Sequence, residues 1–212
     1  MRIICHRGYW KKEGEQNQLI SFERALSKGY GIETDIRDFN SGIVISHDIA
    51  AQHAPTFEQL LQLYYRISKD SILALNIKAD GLQKQLRILL DKYKIKNYFV
   101  FDMSLPDSLN YLKDRLTAFT RQSEWEKAPL FYEEAAGVFV DCFKTTEWIS
   151  EELISNHLNN GKKVILVSPE LHKRDYLHFW KVIKSMHINT NQNLYICTDF
   201  PEEAEAFFNV KN

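Results

Sequence analysis

Cysteine is scarce in this 212-residue chain: Cys5, Cys142 and Cys197 are three in number and far apart. Each falls in an apolar, strand-like run, and no two have the spacing of a zinc ligand pair, so reduced, buried thiols are expected in place of a disulfide framework or a zinc site. An excess of charge of one sign is also missing. Twenty-seven Lys and Arg face 28 Asp and Glu, for a net charge of −1. That balance gives no electrostatic footprint for nucleic acid and no basic stripe for a membrane surface, although it leaves room for a local anion site. No hydrophobic run reaches the length of a membrane-spanning helix. The opening Met1-Arg2-Ile3-Ile4-Cys5 turns polar at His6, too soon for a secretion signal. These absences lead us to expect a cytoplasmic protein with no membrane insertion and no nucleic-acid partner. They leave the oligomeric state open.

What the chain does contain is alternation, with no break in composition and no linker. Near-continuous apolar runs at Arg2–Cys5, Gly31–Ile36, Ile72–Lys78, Tyr98–Met103, Thr117–Arg121, Val138–Phe143, Lys163–Ser168 and Leu194–Thr198 read as parallel strands covered on both faces. Amphipathic stretches separate them, at Ser21–Lys28, Thr56–Ile67, Leu82–Tyr93, Leu105–Lys113, Ser150–Leu158, Tyr176–Met186 and Pro201–Phe208. Thr56 reads as an N-cap, and Pro106 and Pro201 stand where proline suits a first helical turn. Roughly eight β/α units in one 1–212 domain predict an α/β fold, a single small TIM (β/α)8 barrel. A doubly wound open sheet has the same alternation. The polar clusters favour the barrel, because they fall at or just past strand C-termini, which in a barrel form one rim.

Three of these clusters come early: His6-Arg7-Gly8, Glu33-Thr34-Asp35 and His47-Asp48. Two histidines can divide a proton's removal from an attacking hydroxyl and its delivery to a leaving alkoxide. Glu33 and Asp35 share strand parity, so their side chains leave one face about 7 Å apart along the backbone. Two carboxylates that close repel unless a cation or proton lies between them, and a hard divalent ion, Mg²⁺ or Ca²⁺, suits oxygen ligands. The alternative is an ion pair with Arg37, which has the same parity. Arg7, Lys78 and Arg121 are candidate phosphate grips, and for Arg121 an ordinary ion pair is an equal alternative. Asp199 reads as a helix N-cap. His53, His157, His172, His178 and His187 fall on predicted helices or loops and are expected to be solvated, His172 with the least support. Asp141, Glu170, Trp10, Phe143 and Trp148 are candidates for a leaving-group pocket, with core packing an equal explanation for the aromatic residues.

His6-Arg7-Gly8, followed by Asn17, Ser21-Phe22, Glu33-Thr34-Asp35 and His47-Asp48, resembles the opening of a glycerophosphodiester phosphodiesterase. Asn76-Ile77-Lys78 and the closing Thr198-Asp199-Phe200-Pro201 add weaker support. The resemblance implies a TIM barrel, a divalent cation (Mg²⁺ or Ca²⁺), and hydrolysis of a small phosphodiester to an alcohol and a phosphomonoester. A neighbouring glycerol hydroxyl attacks first in such a scheme, giving a cyclic phosphate that water opens. It assigns His6 and His47 to acid–base catalysis, Glu33, Asp35 and position 76 to the metal, and Arg7 and Lys78 to the phosphate. The chain departs from the pattern twice. Asn76 stands where such enzymes carry a glutamate, which removes a negative charge and leaves Asp80 as a substitute if the strand continues. The insertion that many relatives carry after the His-Asp motif is missing, so the pocket mouth is expected to be open. Two alternatives to hydrolysis follow: a lyase that stops at the cyclic phosphate, and a non-catalytic phosphate-ligand binder that lost a metal ligand at Asn76.

Overall fold

The computed structural model describes residues 1–68 and 70–209. They divide into two compact units, Cys5–Ala118 and a second made of Met1–Ile4 with the chain from Phe119 onward. β1 (Arg2–His6) gives its first residues to the second unit and Cys5 and His6 to the first.

In the first unit the strand order is β5-β4-β2-β1, with β2 (Gly31–Phe39), β4 (Leu73–Ile77) and β5 (Tyr98–Phe101) parallel. Leu73, Ala74 and Leu75 of β4 are fully buried, as a strand covered on both faces requires. The helices are α1 (Leu19–Ser27), α2 (Phe57–Ile67), α3 (Gln83–Lys92) and α4 (Leu105–Lys113). Thr56 caps α2 as its sequence predicts. Its hydroxyl accepts from Gln59 N at 3.2 Å while the Gln59 side chain takes the Thr56 amide at 2.8 Å. Ser104 caps α4 ahead of Pro106.

β2 runs three residues beyond the predicted strand and turns back into β3 (Gly42–Ile45), which pairs with it antiparallel. The turn is Asn40-Ser41, with φ of 47° and 62°. Two central residues in the left-handed region are the signature of the hairpin turn whose twist matches its strands.

In the second unit the order is β1-β9-β8-β7-β6. β6 (Phe119–Gln122), β7 (Gly137–Val140), β8 (Lys163–Val167) and β9 (Leu194–Thr198) are parallel neighbours, and α5 (Glu151–Asn159), α6 (Leu177–Ser185) and α7 (Pro201–Asn209) alternate with the later ones. Trp180 of α6 is fully buried and contacts Tyr176, Phe207 and Phe208, so α6 and α7 share one aromatic cluster. The three cysteines are free and buried.

Candidate active site

β1 ends in a tight turn at Arg7-Gly8. Arg7 and Gly8 both have positive φ, 55° and 84°. A Cβ built on Gly8 would lie 2.4 Å from Ser21 Oγ and 2.9 Å from Phe22 Cδ1. The Ser21 hydroxyl is shared between the carbonyls of Gln18 (2.8 Å) and Arg7 (3.2 Å), and Asn17 N donates to the same Arg7 carbonyl at 2.9 Å. Ser21 and Phe22 of α1 are thus the wall against which the turn is pressed. The turn directs the Arg7 amide at Glu33 Oε2 (3.2 Å) and places its Nε 3.3 Å from Asp35 Oδ2.

Glu33 and Asp35 are 2% and 1% exposed, on one face of β2. β4 is registered so that Asn76 stands opposite Asp35. The Asn76 side chain donates through Nδ2 to Glu33 Oε1 at 3.3 Å, and its Oδ1 is buried with no hydrogen-bond partner. Lys78 Nζ lies 3.4 Å from Asp35 Oδ1. The same carboxylate accepts from Asn17 Nδ2 at 2.8 Å. Two buried carboxylates and two partly exposed cations therefore converge in one cluster. Burial, then the Asp35 charge, pushes the Glu33 carboxyl above its usual range, with His6, Lys78 and the Arg7 amide opposing. His6 Nε2 is 4.0 Å from Glu33 Oε2.

The hairpin delivers His47. Ile45 pairs with Ile36, and Ser46 N donates to Asp35 O at 3.1 Å, so His47 follows directly at the end of this ladder. Its Nδ1 is 2.9 Å from Asp48 Oδ1, and the ring is half exposed. The His47 contact holds the Asp48 carboxyl below its usual range. Arg37, the alternative partner for the two β2 acids, instead donates to His47 O at 3.3 Å. An open groove of about 580 Å³, with Gln18, Ile20, His53 and Gln59 in its walls, starts one residue after Asn17.

No protein-family model matches the sequence, and no curated protein does either. Solved structures do. A glycerophosphodiester phosphodiesterase from Agrobacterium tumefaciens superposes with a TM-score of 0.72 at 15% identity, covering 97% of this chain and 98% of that one. One from Parabacteroides distasonis gives 0.67 at 20% identity, over 98% and 96%. A phosphodiesterase from Oleispira antarctica, in complex with the product sn-glycerol-3-phosphate, gives 0.65 at 15%, over 99% and 97%. The fold is the one glycerophosphodiester phosphodiesterases share. It is α/β, a single small TIM-like barrel, and the open-sheet alternative is set aside.

A divalent cation is among the expectations from the sequence, and the residues present suit one. Two buried like charges and the unpartnered carbonyl of Asn76 form an all-oxygen donor set. Its third member is an amide, and among the described residues no group of three or more His, Cys, Asp or Glu is arranged to hold a metal. Asp80 does not complete the set. β4 ends at Ile77, and Asp80 Oδ2 accepts from Ser104 Oγ at 2.9 Å in the turn before α3.

Arg121, Asp141, Glu170 and Asp199 lie in the second unit. Arg121 has its Nε 2.5 Å from Glu126 Oε2 and its guanidinium over the Phe143 ring. Asp141 accepts from His172 Nε2 at 2.7 Å, so His172 is partnered and not merely solvated. Glu170 takes the hydroxyls of Ser168 and Thr198 and the Asp199 amide, and burial raises its carboxyl. Beside Asp199, Thr198 Oγ1 accepts the Phe200 amide at 3.0 Å just before α7. His157 corrects the expectation of a solvated ring: it is 7% exposed, with Nε2 2.8 Å from Gln122 Oε1 and Nδ1 2.9 Å from Tyr132 OH. His53, His178 and His187 are exposed as expected.

Proposed function

We propose that this chain is a metal-dependent phosphodiester hydrolase acting on a glycerophosphodiester or a related small diester, with His6 and His47 as its acid–base pair. One observation carries the reading. Arg7 and Lys78 both lie within 3.4 Å of Asp35, each about a quarter exposed, so two cations are held at a buried carboxylate with part of each facing solvent. A phosphodiester anion that docks there meets a planar fork and a point charge. Glu33, Asp35 and Asn76 would hold Mg²⁺ or Ca²⁺, which supplies Lewis-acid polarisation of a phosphoryl oxygen.

The chain's own residues do the rest. Asp48 engages His47 through Nδ1 and leaves Nε2 as the nitrogen that exchanges a proton with substrate. His6 stands at the other acid of the cluster, 4.0 Å from Glu33. One imidazole takes the proton of the attacking hydroxyl, from water or a neighbouring glycerol hydroxyl, and the other protonates the departing alkoxide. The three buried, free thiols support a cytoplasmic setting, and no helix among the described residues is long and apolar enough to cross a membrane. Arg121, already paired with Glu126, is a weaker candidate for the phosphate than Arg7 and Lys78.

A second reading has its own observation. With Asn76 neutral, two acids face two cations, a balance that a phosphate-ligand binder would also show. The test is incubation of glycerophosphodiesters with the protein and Mg²⁺ or Ca²⁺, followed by phosphorus NMR. A phosphomonoester lost on chelation with EDTA is expected. Accumulation of a cyclic phosphate would mean a lyase, and no turnover with either ion would leave only the binder.

A further inference from the structure

Asn17 occupies a place that the acid–base scheme leaves without a function. It is 7% exposed, in a loop, with φ of 58°. Its side chain bridges two consecutive residues of β2 from opposite faces. Nδ2 donates to Asp35 Oδ2 at 2.8 Å, and Oδ1 accepts from Thr34 Oγ1 at 2.8 Å. Its own amide holds the Arg7 carbonyl.

The Asp35 carboxylate, which only accepts, decides which way this amide faces, and the Thr34 hydroxyl anchors its other end. Thr34 is fully buried, and its hydroxyl hydrogen is directed at Asn17 Oδ1. The reversed amide could still donate its NH₂ to that hydroxyl, but it would set a carbonyl oxygen against the carboxylate, losing that bond and adding a repulsion. Asn17 therefore presents only its donor to Asp35. With Oδ2 so fixed, Oδ1 is the oxygen that faces Lys78. The left-handed backbone explains the residue type, since Asn and Asp are the side-chain-bearing residues that tolerate it best.

We propose that Asn17 is a positioning residue: its amide, anchored by Thr34 and donating to Asp35, fixes the rotation of the Asp35 carboxylate and through it the two phosphate-binding cations Arg7 and Lys78. This rests on the hydrolase reading for its consequence in turnover, but not for its geometry, which phosphate binding alone can report.

The decisive variants are Asn17→Asp and Thr34→Val. Asn17→Asp keeps the volume, the backbone preference and an acceptor for Thr34, but sets a carboxylate oxygen against Asp35. Thr34→Val is isosteric and touches neither Asp35 nor the cations, yet it removes the second anchor of the Asn17 amide and loosens its hold on Asp35. Two readouts apply, each beside a thermal melt: kcat/KM on a glycerophosphodiester, and the Kd of inorganic phosphate by calorimetry. A hydrogen bond to a buried charge leads us to expect losses of roughly 10- to 100-fold in both for Asn17→Asp. Thr34→Val should show about 3- to 10-fold, with a melting temperature near that of the parent. If Asn17→Asp does not fold, Thr34→Val decides. Folded variants that keep kcat/KM and phosphate affinity within twofold would reduce Asn17 to a filler of space and overturn the inference. Absence of turnover in the parent protein would instead remove the hydrolase reading, and the phosphate measurement would still decide the role of Asn17.

Discussion

Replacing Gly8 with alanine separates two penalties that usually arrive together. The backbone at Gly8 has φ of 84°, and a methyl group there would meet Ser21 Oγ at 2.4 Å and Ser21 Cβ and Phe22 Cδ1 at 2.9 Å. Both neighbours are fully buried in α1 and have nowhere to move. A left-handed alanine costs about 1–2 kcal/mol, and overpacking a tight contact adds about 1–3 kcal/mol. Less freedom in the unfolded chain returns about 0.4–1 kcal/mol. The net is about 1–4.6 kcal/mol, or about 2–18 °C in Tm for a chain of this size. Gly14 supplies the control. Its φ of 85° is nearly identical, but nothing lies within 4 Å of its missing Cβ. Gly14→Ala should therefore show the backbone penalty alone, and the difference between the two alanines measures the clash with α1. Urea and thermal unfolding followed by circular dichroism read both. If Gly8→Ala proves no less stable than Gly14→Ala, then the turn is not pressed against Ser21 and Phe22, and the account of how Arg7 is aimed is wrong.

Three other outcomes follow from the site and its surroundings. Asn76→Glu should tighten divalent-ion binding measured by calorimetry, since it adds a third negative charge opposite Asp35; weaker binding would remove position 76 from the ligand set. His6→Ala and His47→Ala should each lower kcat on a natural diester by about 10²–10⁴-fold, and a nitrophenyl ester, which needs no proton on its leaving group, should restore only the variant lacking the acid. His157 gives a pH dependence of stability. Burial, with a contribution from Lys162, lowers its folded pKa below 6.5. The unfolded chain then binds the proton that the folded one refuses, so its contribution is whole above about pH 6.5 and is lost as pH falls from there toward the lowered folded value. His157→Gln should flatten that part of the stability curve, and an unchanged slope would show that the ring is not held neutral.

The fold was open to sequence reading because both faces of each central strand are covered, so strands appear as plain apolar runs and helices as periodic ones. Glu33, Asp35, Arg7 and Lys78 were legible for a related reason: strand parity and strand ends decide which way a side chain points, and both can be counted. What escaped depends on long-range partners. Asn17 belongs to the motif read from the sequence, but its bonds to Thr34 and Asp35, 17 and 18 positions away, could not be read there. His157 sits on a helix whose periodicity says nothing about Gln122, 35 residues earlier, which draws the ring inward. Asp80 was offered on the condition that its strand continues to it, and β4 stops at Ile77.

The loop after His47 is stitched at its neck. Ile45 N donates to Pro55 O at 2.8 Å, and Val44 pairs with Thr56 across an isolated bridge, just before the capped start of α2. Everything between these stitches, including the fully solvent-facing Ile49, hangs from a closed ring. Extra residues spliced into such a ring cost little, because closure entropy grows only slowly with loop length. The histidine on its shoulder would stay in place, held by the Ser46–Asp35 bond. A graft between Ile49 and His53 is therefore a route to reshaping what reaches the groove beside α1 while the charged cluster keeps its geometry.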